Sequence, residues 1–369
     1  MPSDKVPKGL YVIHDPAADV LAFMARPDAD EAAFDALALR LFAHQVANNT
    51  PYRRFCQERG RLPRTVRSWR DIPPVPIQAF KDVTLSCVPA EQCERVFMTS
   101  GTTRGDIRGR HYHPALQVYD DSMRRGFQQF FMREYTRLPM LVLFPTETMM
   151  PNSSLAHYLA LAVTTFGSEG SGYGIDEQGL QLARVMAWLQ KAQLAGQPVA
   201  VLGASYSWVH LIDALQARGL KFTLPAGSRL LDTGGFKGQS RDIPMQTFYA
   251  LLQDTLGVPA QQCINMYGMT ELSTQWYDAG NAELPSIKRG PHWIRWRLID
   301  PVSGLEVPPG QEGIVVHCDL ANYNAATTIL TEDVGVAAEE GFQLLGRAQG
   351  SQAKGCSIAV DQFLQASRA

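Results

Sequence analysis

The sequence has no run of about 18 apolar residues, the length that a membrane-spanning helix needs. Residues 1–16 also lack the apolar segment of a secretory signal. The six cysteines form no Cys-x-x-Cys pair, which argues against a structural zinc site and against a disulfide-stabilised secreted domain. Neither sign of charge dominates, since the net charge is −2, so no extended basic surface for nucleic acid is expected. These absences predict a cytoplasmic protein that binds neither a membrane nor nucleic acid.

The composition is that of a folded protein, with 45% hydrophobic and 19% charged residues in a chain of 369. Helical spacing of apolar residues predicts a helix over residues 30–60. The proline-rich segment DIPPVPIQAFKD, residues 71–82, predicts an extended connection, which we call the strap. We expect one compact unit made of a helical segment with the strap at 1–95, an α/β core at 96–288, and a β-rich portion with a short tail at 289–369.

The core is predicted to contain a mostly parallel sheet, because short apolar runs alternate with longer amphipathic stretches. The predicted strands are 140–144, 199–203, 229–235 and 263–268, and the predicted helices are 115–134, 152–163, 177–194, 206–218 and 241–256. From residue 290, apolar and polar residues alternate on both sides of a Pro/Gly turn, which predicts antiparallel strands. The fold class is therefore α/β, with large helix-covered, mostly parallel sheets and a small antiparallel β portion near the C-terminus.

The stretch TSGTTRGDIRGR, residues 99–110, combines hydroxyl side chains, glycines and arginines. Backbone N–H groups beside glycine, together with Ser and Thr hydroxyls, can surround phosphate oxygens whose charge arginine neutralises. A surface loop without a ligand has the same composition, so this stretch alone leaves both interpretations open. His111 and His113 follow on one face of a strand, but no third ligand is spaced for a metal site.

Residues unusual for plain turns follow three of the predicted strands, at the strand ends where ligands of parallel sheets bind. They are Tyr206 and Trp208 after the second strand, Gly234, Gly235, Phe236 and Lys237 after the third, and Tyr267, Gly268, Thr270 and Glu271 after the fourth. Each loop alone fits a turn with core aromatics. Together they predict a ligand site at this edge of the sheet.

Four motifs occur in the order and approximate spacing of the adenylate-forming superfamily, namely TSGTT (99–103), YGMTE (267–271), TEDVG (331–335) and LGR (345–347). That superfamily includes acyl-CoA synthetases, adenylation domains of peptide synthetases and luciferases, and the sequence resembles it over nearly its whole length. The strap, DTGGFKG and NSSLAHY further resemble the acyl-protein synthetase branch of bacterial bioluminescence and the phenylacetate-CoA ligases. The chain length, which leaves no room for the usual C-terminal domain, also resembles the adenylating proteins of phenazine antibiotic biosynthesis.

The resemblance implies an enzyme that uses ATP and Mg²⁺ to activate a carboxylic acid. The carboxylate attacks the α-phosphorus of ATP and gives an acyl adenylate and pyrophosphate, so the site must hold two anions together. By the same resemblance, Glu271 ligates Mg²⁺, Thr270 donates to the α-phosphate, and Asp333, assisted by Arg347, binds the ribose hydroxyls. The remaining nucleotide-binding residues implied are Thr99, Ser100, Gly101, Thr102, Thr103, Arg104, Gly234, Gly235, Tyr267 and Gly268.

The sequence departs from the family pattern at three places. Arg104 and Ile107 stand where the family has Gly and Lys, and the hinge after Arg347 lacks its usual charged residue. The family's catalytic lysine belongs to the C-terminal domain, so Lys237 or a loop arginine is expected to replace it.

The acid and the final acceptor leave alternatives open. Aromatic residues near the predicted site, Tyr206, Trp208 and Phe236 among them, favour an aryl acid such as a phenazine carboxylate, although core packing would explain them equally. The acyl group is expected to pass to a partner acyl reductase. The alternatives are a fatty acyl thioester on Cys356, whose pKa a neighbouring Lys354 would lower in a flexible tail, or a non-catalytic protein that binds nucleotide or acid. The sequence does not predict an oligomeric state.

Overall fold

The computed structural model describes residues 15–100, 107–236 and 238–368. No helix within these residues combines the length and the apolar character needed to cross a bilayer. The α-helices are α1 (Pro16–Met24), α2 (Glu31–Asn48), α3 (Thr50–Glu58), α4 (Ala79–Asp82), α5 (Gln117–Gly126), α6 (Ser154–Phe166), α7 (Leu182–Ala195), α8 (Ser205–Gln216), α9 (Met245–Leu256) and α10 (Gly350–Arg368). A π-helical segment, Phe127–Met132, follows α5.

The strands come in two groups along the chain. The first group is β1 (Val75–Pro76), β2 (Arg95–Met98), β3 (Arg110–His113), β4 (Met140–Leu143), β5 (Gly172–Tyr173), β6 (Ile175–Asp176), β7 (Gly179–Leu180), β8 (Ala200–Ala204), β9 (Arg229–Thr233) and β10 (Cys263–Tyr267). The second group is β11 (Trp276–Tyr277), β12 (Ile287–Lys288), β13 (Ile294–Ile299), β14 (Glu312–Asp319), β15 (Thr328–Ala338) and β16 (Gly341–Arg347).

The first large sheet has the strand order β11-β10-β9-β8-β4-β5. Its pairs are parallel except β10 with β11. The central strands β4, β8 and β9 are buried along their whole length, as expected for a parallel sheet covered by helices on both faces. The α/β fold class and the four strands predicted from apolar runs are confirmed.

The second large sheet contains the antiparallel strands β12-β16-β15-β14-β13, which confirms the predicted β portion near the C-terminus. The strap joins this sheet, because Val75 and Pro76 pair in parallel with Ile329 and Leu330 of β15. The extended prediction is therefore correct for β1, but the strap ends in the short helix α4.

The predicted single helix over residues 30–60 is wrong, because the chain forms α2 and α3 with a break at Asn49. Asn49 has an extended backbone, and its side-chain oxygen accepts a hydrogen bond from the backbone N–H of Tyr52. Pro51 then occupies the first turn of α3, where its missing N–H costs nothing.

The predicted flexible tail is also wrong, because residues 350–368 form α10, which packs against α3, α4 and β1. Phe363 of α10 lies with its ring centroid 4.7 Å from that of Phe55 in α3. Arg54 donates a hydrogen bond to the carbonyl of Ser367. The apolar side of α10 provides the burial that a solvated tail would lack.

A buried ion pair joins the two large sheets. It lies where the chain passes from β11 of the first sheet to β12 of the second. Lys288 donates to Asp278 Oδ2 at 2.8 Å, and these side chains are 4% and 1% exposed. Lys288 also donates to Asn265 Oδ1 of β10 at 2.6 Å, and Ser286 Oγ donates to Asp278 Oδ2 at 2.8 Å. The satisfied network fixes the end of β10 relative to β12.

We expect Lys288→Met to lower the free energy of unfolding by about 3–5 kcal/mol, because the carboxylate of Asp278 would stay buried without its cation. Urea unfolding measures this. Lys221→Met is the matched control, since the Lys221–Asp254 pair is largely exposed and is expected to contribute about 1 kcal/mol or less. Equal losses for the two variants would contradict the stabilising role assigned to the buried pair.

Candidate active site

The carboxyl ends of β8, β9 and β10 are tied together by side-chain hydrogen bonds. Ser205 Oγ donates to the carbonyl of Thr233 at 3.1 Å, and Thr233 Oγ1 donates to the carbonyl of Met266 at 2.8 Å. Gly234 follows with a φ of 76°, a conformation that favours glycine. At Gly235 the position that a Cβ would take has no atom within 4 Å. The backbone here is therefore open to the approach of a ligand.

Tyr267, at the end of β10, crosses to the antiparallel sheet. Its hydroxyl donates to Asp333 Oδ2 at 2.8 Å and lies 3.3 Å from Nε2 of His317. Burial raises the pKa of Tyr267 and lowers that of His317 to about 3, so both are neutral. Gly268 follows Tyr267, and a Cβ on Gly268 would lie only 3.1 Å from the sulfur of Met266.

Asp333 and Arg347 are cross-strand partners on β15 and β16. Arg347 Nε lies 3.8 Å from Asp333 Oδ1, and its Nη1 lies 3.4 Å from Glu332 Oε2. Burial raises the pKa of Asp333, while the hydrogen bond from Tyr267 and the charge of Arg347 act in the opposite direction. The carboxylate thus keeps acceptor capacity beside an exposed guanidinium.

Glu271 is 5% exposed and lies in the turn after β10. Burial raises the pKa of its carboxyl to about 7, whereas its own backbone N–H and the positive charges of Lys81 and Arg347 favour the ionised form. Asn322 Nδ2 donates to the backbone carbonyl of Glu271 at 2.8 Å and holds the turn in place. Thr270 is held through its backbone carbonyl, 2.9 Å from His111 Nδ1.

The base of the loop predicted to bind phosphate lies against Glu271. Thr99 and Gly109 exchange two hydrogen bonds, from Thr99 N to Gly109 O at 3.0 Å and from Gly109 N to Thr99 Oγ1 at 2.9 Å. A Cβ on Gly109 would lie 3.1 Å from Glu271 Oε1. Ser100 is exposed at the start of the loop, while Gly101, Thr102, Thr103 and Arg104 lie outside the described residues.

The carboxylate of Glu271 fits a magnesium ion that phosphates also coordinate. Mg²⁺ is a hard cation, and its sites with nucleotides use one or two carboxylates together with phosphate oxygens and waters. Glu271 is buried, and within the described residues no side chain donates a hydrogen bond to its carboxylate. The same part of the chain holds no cluster of three or more metal-binding side chains.

The three predicted substrate side chains lie in different surroundings. Tyr206 and Phe236 are partly buried at the strand ends. Trp208 is 0% exposed and donates from Nε1 to the carbonyl of Leu231 at 3.1 Å. The expectation that Trp208 lines the substrate pocket is therefore not met, because it packs in the core under β8 and β9. Lys237 lies outside the described residues.

Cys356 lies on α10 against the back of β15 and is 4% exposed. Its thiol lies 3.9 Å from the carbonyl oxygen of Thr331. Burial, together with the charges of Glu332 and Asp333, raises the pKa of this thiol to about 11. The predicted lowering of its pKa by Lys354 is therefore wrong, because burial and the nearby carboxylates dominate.

We expect Cys356 to react slowly with N-ethylmaleimide in the folded protein. A thiol with a pKa of about 11 is roughly 0.1% thiolate at pH 8, and burial restricts reagent access further. Cys93, which is partly exposed, is the internal reference. Peptide mapping over time measures both rates. Modification of Cys356 as fast as Cys93 would show that α10 does not protect the thiol.

Sequence reasoning missed several side chains around this site, of which Lys81, Gln78 and His111 matter most. Gln78 Nε2 donates to Glu332 Oε1 at 2.9 Å, and the positive charge of Lys81 acts against the burial that raises the pKa of Glu271. Both belong to the strap. Its prolines predicted an extended connection but did not indicate which part of the chain the strap packs against. A charged residue immediately after the apolar run of the strap was the one available signal.

The model of the family "acyl-protein synthetase, LuxE" matches residues 11–365. A long-chain-fatty-acid–luciferin-component ligase of Vibrio harveyi is 21% identical over 337 residues, covering 88% of this chain and 86% of the relative. The ligase of the same name from Aliivibrio fischeri is 20% identical over 375 residues, covering 96% of both. A 2-hydroxyisobutyryl-CoA ligase crystallised with 2-HIB-AMP has a TM-score of 0.61 at 18% identity, over 88% of this chain and 70% of that one. This structural likeness concerns the fold.

Proposed function

Because the chain belongs to the acyl-protein synthetase LuxE family, we propose that it converts a carboxylic acid and ATP into an acyl adenylate and pyrophosphate. One arrangement carries the proposal. Glu271, the base of the glycine-rich loop at Thr99 and Gly109, and the hydrogen-bonded pair of Tyr267 and Asp333 surround one region between the two large sheets. A hard-cation ligand, a loop suited to phosphate and a carboxylate suited to ribose are the parts that ATP requires.

The reaction forms a bond between a carboxylate oxygen and the α-phosphorus and breaks the bond from that phosphorus to the β-phosphate oxygen. The electron pair leaves with pyrophosphate, and no proton has to be transferred. The protein therefore contributes mainly alignment and charge neutralisation. Mg²⁺ held by Glu271 would supply positive charge to the phosphates.

Each remaining residue has a binding role in this proposal. Asp333 accepts hydrogen bonds from the ribose hydroxyls, with Arg347 beside it, and Thr270 donates to the α-phosphate. Tyr267 orients Asp333 and packs on the base. The phosphate loop is Thr99, Ser100, Gly101, Thr102, Thr103 and Arg104. Gly234 and Gly235 let the backbone approach the adenine or the acyl carboxylate, Gly268 belongs to the nucleotide site, and Lys237 is a candidate source of positive charge.

Acid-dependent exchange of labelled pyrophosphate into ATP tests the proposal. We would use a panel of benzoate, phenazine carboxylate, octanoate and tetradecanoate with Mg²⁺ present. Exchange with at least one acid, and trapping of its hydroxamate by hydroxylamine, is the expected result. A protein that only binds nucleotide or acid would bind ATP in calorimetry and catalyse no exchange with any acid.

We favour an aryl acid such as a phenazine carboxylate as the substrate. Tyr206 and Phe236 offer flat, partly exposed surface at the strand ends, which suits a planar acid. The relatives in Vibrio harveyi and Aliivibrio fischeri are named for long-chain fatty acids, so a fatty acid is the second candidate. Exchange with octanoate or tetradecanoate but with neither aromatic acid would overturn the aryl proposal and leave adenylation intact.

The activated acyl group is proposed to pass to a partner acyl reductase, either directly or through a thioester on Cys356. The thioester route requires α10 to move away from β15, because the thiol is buried there. Intact mass measurement after incubation with ATP, Mg²⁺ and the acid separates the routes. A hydroxylamine-labile adduct that is absent in Cys356→Ser supports the thioester. No adduct, or the same adduct in Cys356→Ser, leaves direct transfer.

A further inference from the structure

The strap follows β15 toward the candidate active site. Val75 and Pro76 pair with Ile329 and Leu330, and the backbone N–H of Ile77 donates to the carbonyl of Leu330 at 2.9 Å. Asp333 lies three residues further along the same strand. The strap therefore delivers its last residues, including α4, to the side of the site.

The residues around Lys81 hold α4 in a fixed position. Gln78 Nε2 donates to Glu332 Oε1 at 2.9 Å, which ties the start of α4 to β15. Phe80 is fully buried, and its ring packs edge-on against that of His111 with centroids 5.8 Å apart. His111 Nδ1 in turn lies 2.9 Å from the carbonyl of Thr270, next to Glu271. Lys81 is thus carried by a segment that is anchored on two sides.

Lys81 is a partly buried cation without a direct partner within the part of the chain that the structure describes. Its ammonium makes no hydrogen bond or ion pair there, although its charge acts on the carboxylate of Glu271. Lys221 and Lys288, by contrast, form ion pairs with Asp254 and Asp278. A partly buried lysine that forms no direct ion pair fits a site that an anion completes.

We propose that Lys81 is a catalytic residue of adenylation, whose ammonium contacts the non-bridging oxygens of the α-phosphate during attack by the carboxylate. This inference rests on the proposed function. Two anions must meet in this reaction, and a fixed cation at the phosphorus offsets their repulsion. Bond formation to phosphorus and departure of pyrophosphate transfer no proton, so Lys81 acts as a hydrogen-bond donor and a fixed charge and not as an acid or a base. In this proposal Glu271 would hold a magnesium ion, and Lys81 would contact the α-phosphate directly.

The test compares Lys81→Met and Lys81→Arg with the wild type in pyrophosphate exchange, using the acid of the panel above that exchanges fastest. Lys81→Met keeps the length and apolar stem of the side chain, so it isolates the charge. We expect kcat to fall at least about a hundredfold with KM for ATP within about threefold, because the contact is made mainly in the transition state. Lys81→Arg is expected to recover at least about tenfold of that loss. Lys191→Met, at an exposed lysine of α7, is the control and is expected to match the wild type.

The outcomes distinguish failure of the proposed function from failure of the role assigned to Lys81. A wild type without exchange would overturn the proposed function and this inference together. An active wild type with Lys81→Met within threefold of its kcat, or with a loss confined to KM, would overturn this inference alone. Thermal unfolding checks whether Lys81→Met is folded. In Lys81→Ala, added ethylammonium is expected to restore part of the exchange activity. No recovery at saturating ethylammonium, together with a normal kcat in Lys81→Met, would count against the catalytic role of Lys81.

Discussion

Glu271→Gln is expected to reduce acid-dependent pyrophosphate exchange by about a thousandfold or more. The substitution keeps the shape of the side chain and removes the negative charge proposed to hold Mg²⁺. A thousandfold loss of rate corresponds to about 4 kcal/mol of transition-state stabilisation. The loss should appear at all magnesium concentrations that support the wild type. Exchange rates measured across a magnesium titration give this comparison directly.

The same substitution should leave the protein folded, and its melting temperature should be equal or higher at pH 8. Burial raises the pKa of Glu271 to about 7, so the carboxyl is ionised in the folded protein above that pH, and its buried charge then lowers the free energy of unfolding. A neutral amide removes this cost. Glu339→Gln, at an exposed turn after β15, controls for the loss of one charge. A Glu271→Gln variant that keeps normal magnesium-dependent exchange would overturn the assignment of Glu271.

Asp333→Ala is expected to raise KM for ATP by about 10–100-fold, which corresponds to about 1–3 kcal/mol for lost hydrogen bonds to a charged group. The structural reason is that Asp333 is oriented by the hydroxyl of Tyr267 at 2.8 Å and adjoins Arg347. Steady-state exchange with varied ATP measures the change.

Deoxynucleotides identify which atoms Asp333 contacts. The wild type should use 2′-deoxyATP and 3′-deoxyATP less well than ATP, and Asp333→Ala should discriminate little among the three. Glu339→Ala serves as the charge-matched control. If Asp333→Ala kept the full preference of the wild type for ATP, the ribose assignment would be contradicted.

The proximity of several motif residues in the structure has a simple reason. Tyr267 is the last residue of the parallel strand β10 and Glu271 lies in the turn after it, so the end of β10 fixes the positions of both. Asp333 and Arg347 lie on neighbouring strands of one hairpin, where the register between β15 and β16 makes them partners. Their proximity could be predicted from the sequence, whereas their roles toward ATP stay predictions.

Other expectations failed because they depended on packing between distant parts of the chain. Trp208 follows a strand in the sequence, yet its side chain turns into the core and donates to Leu231. Cys356 was expected to be accessible because it follows the hinge in a short C-terminal tail, but the apolar residues of α10 pack against α3 and β15. The segment that carries Lys81 lies beside the site only because the strap pairs with residues about 250 positions later in the chain, and local patterns hold no information on such pairing.

The most direct measurement of the central claim uses a carboxylic acid labelled with ¹⁸O in its carboxyl group. The wild type is incubated with ATP, Mg²⁺ and the labelled form of the acid that exchanges fastest, and the acyl group is then released with hydroxylamine. If the carboxylate attacks the α-phosphorus, mass spectrometry finds AMP that carries one ¹⁸O atom. Release of ADP, or AMP free of label while hydroxamate forms, would contradict the account.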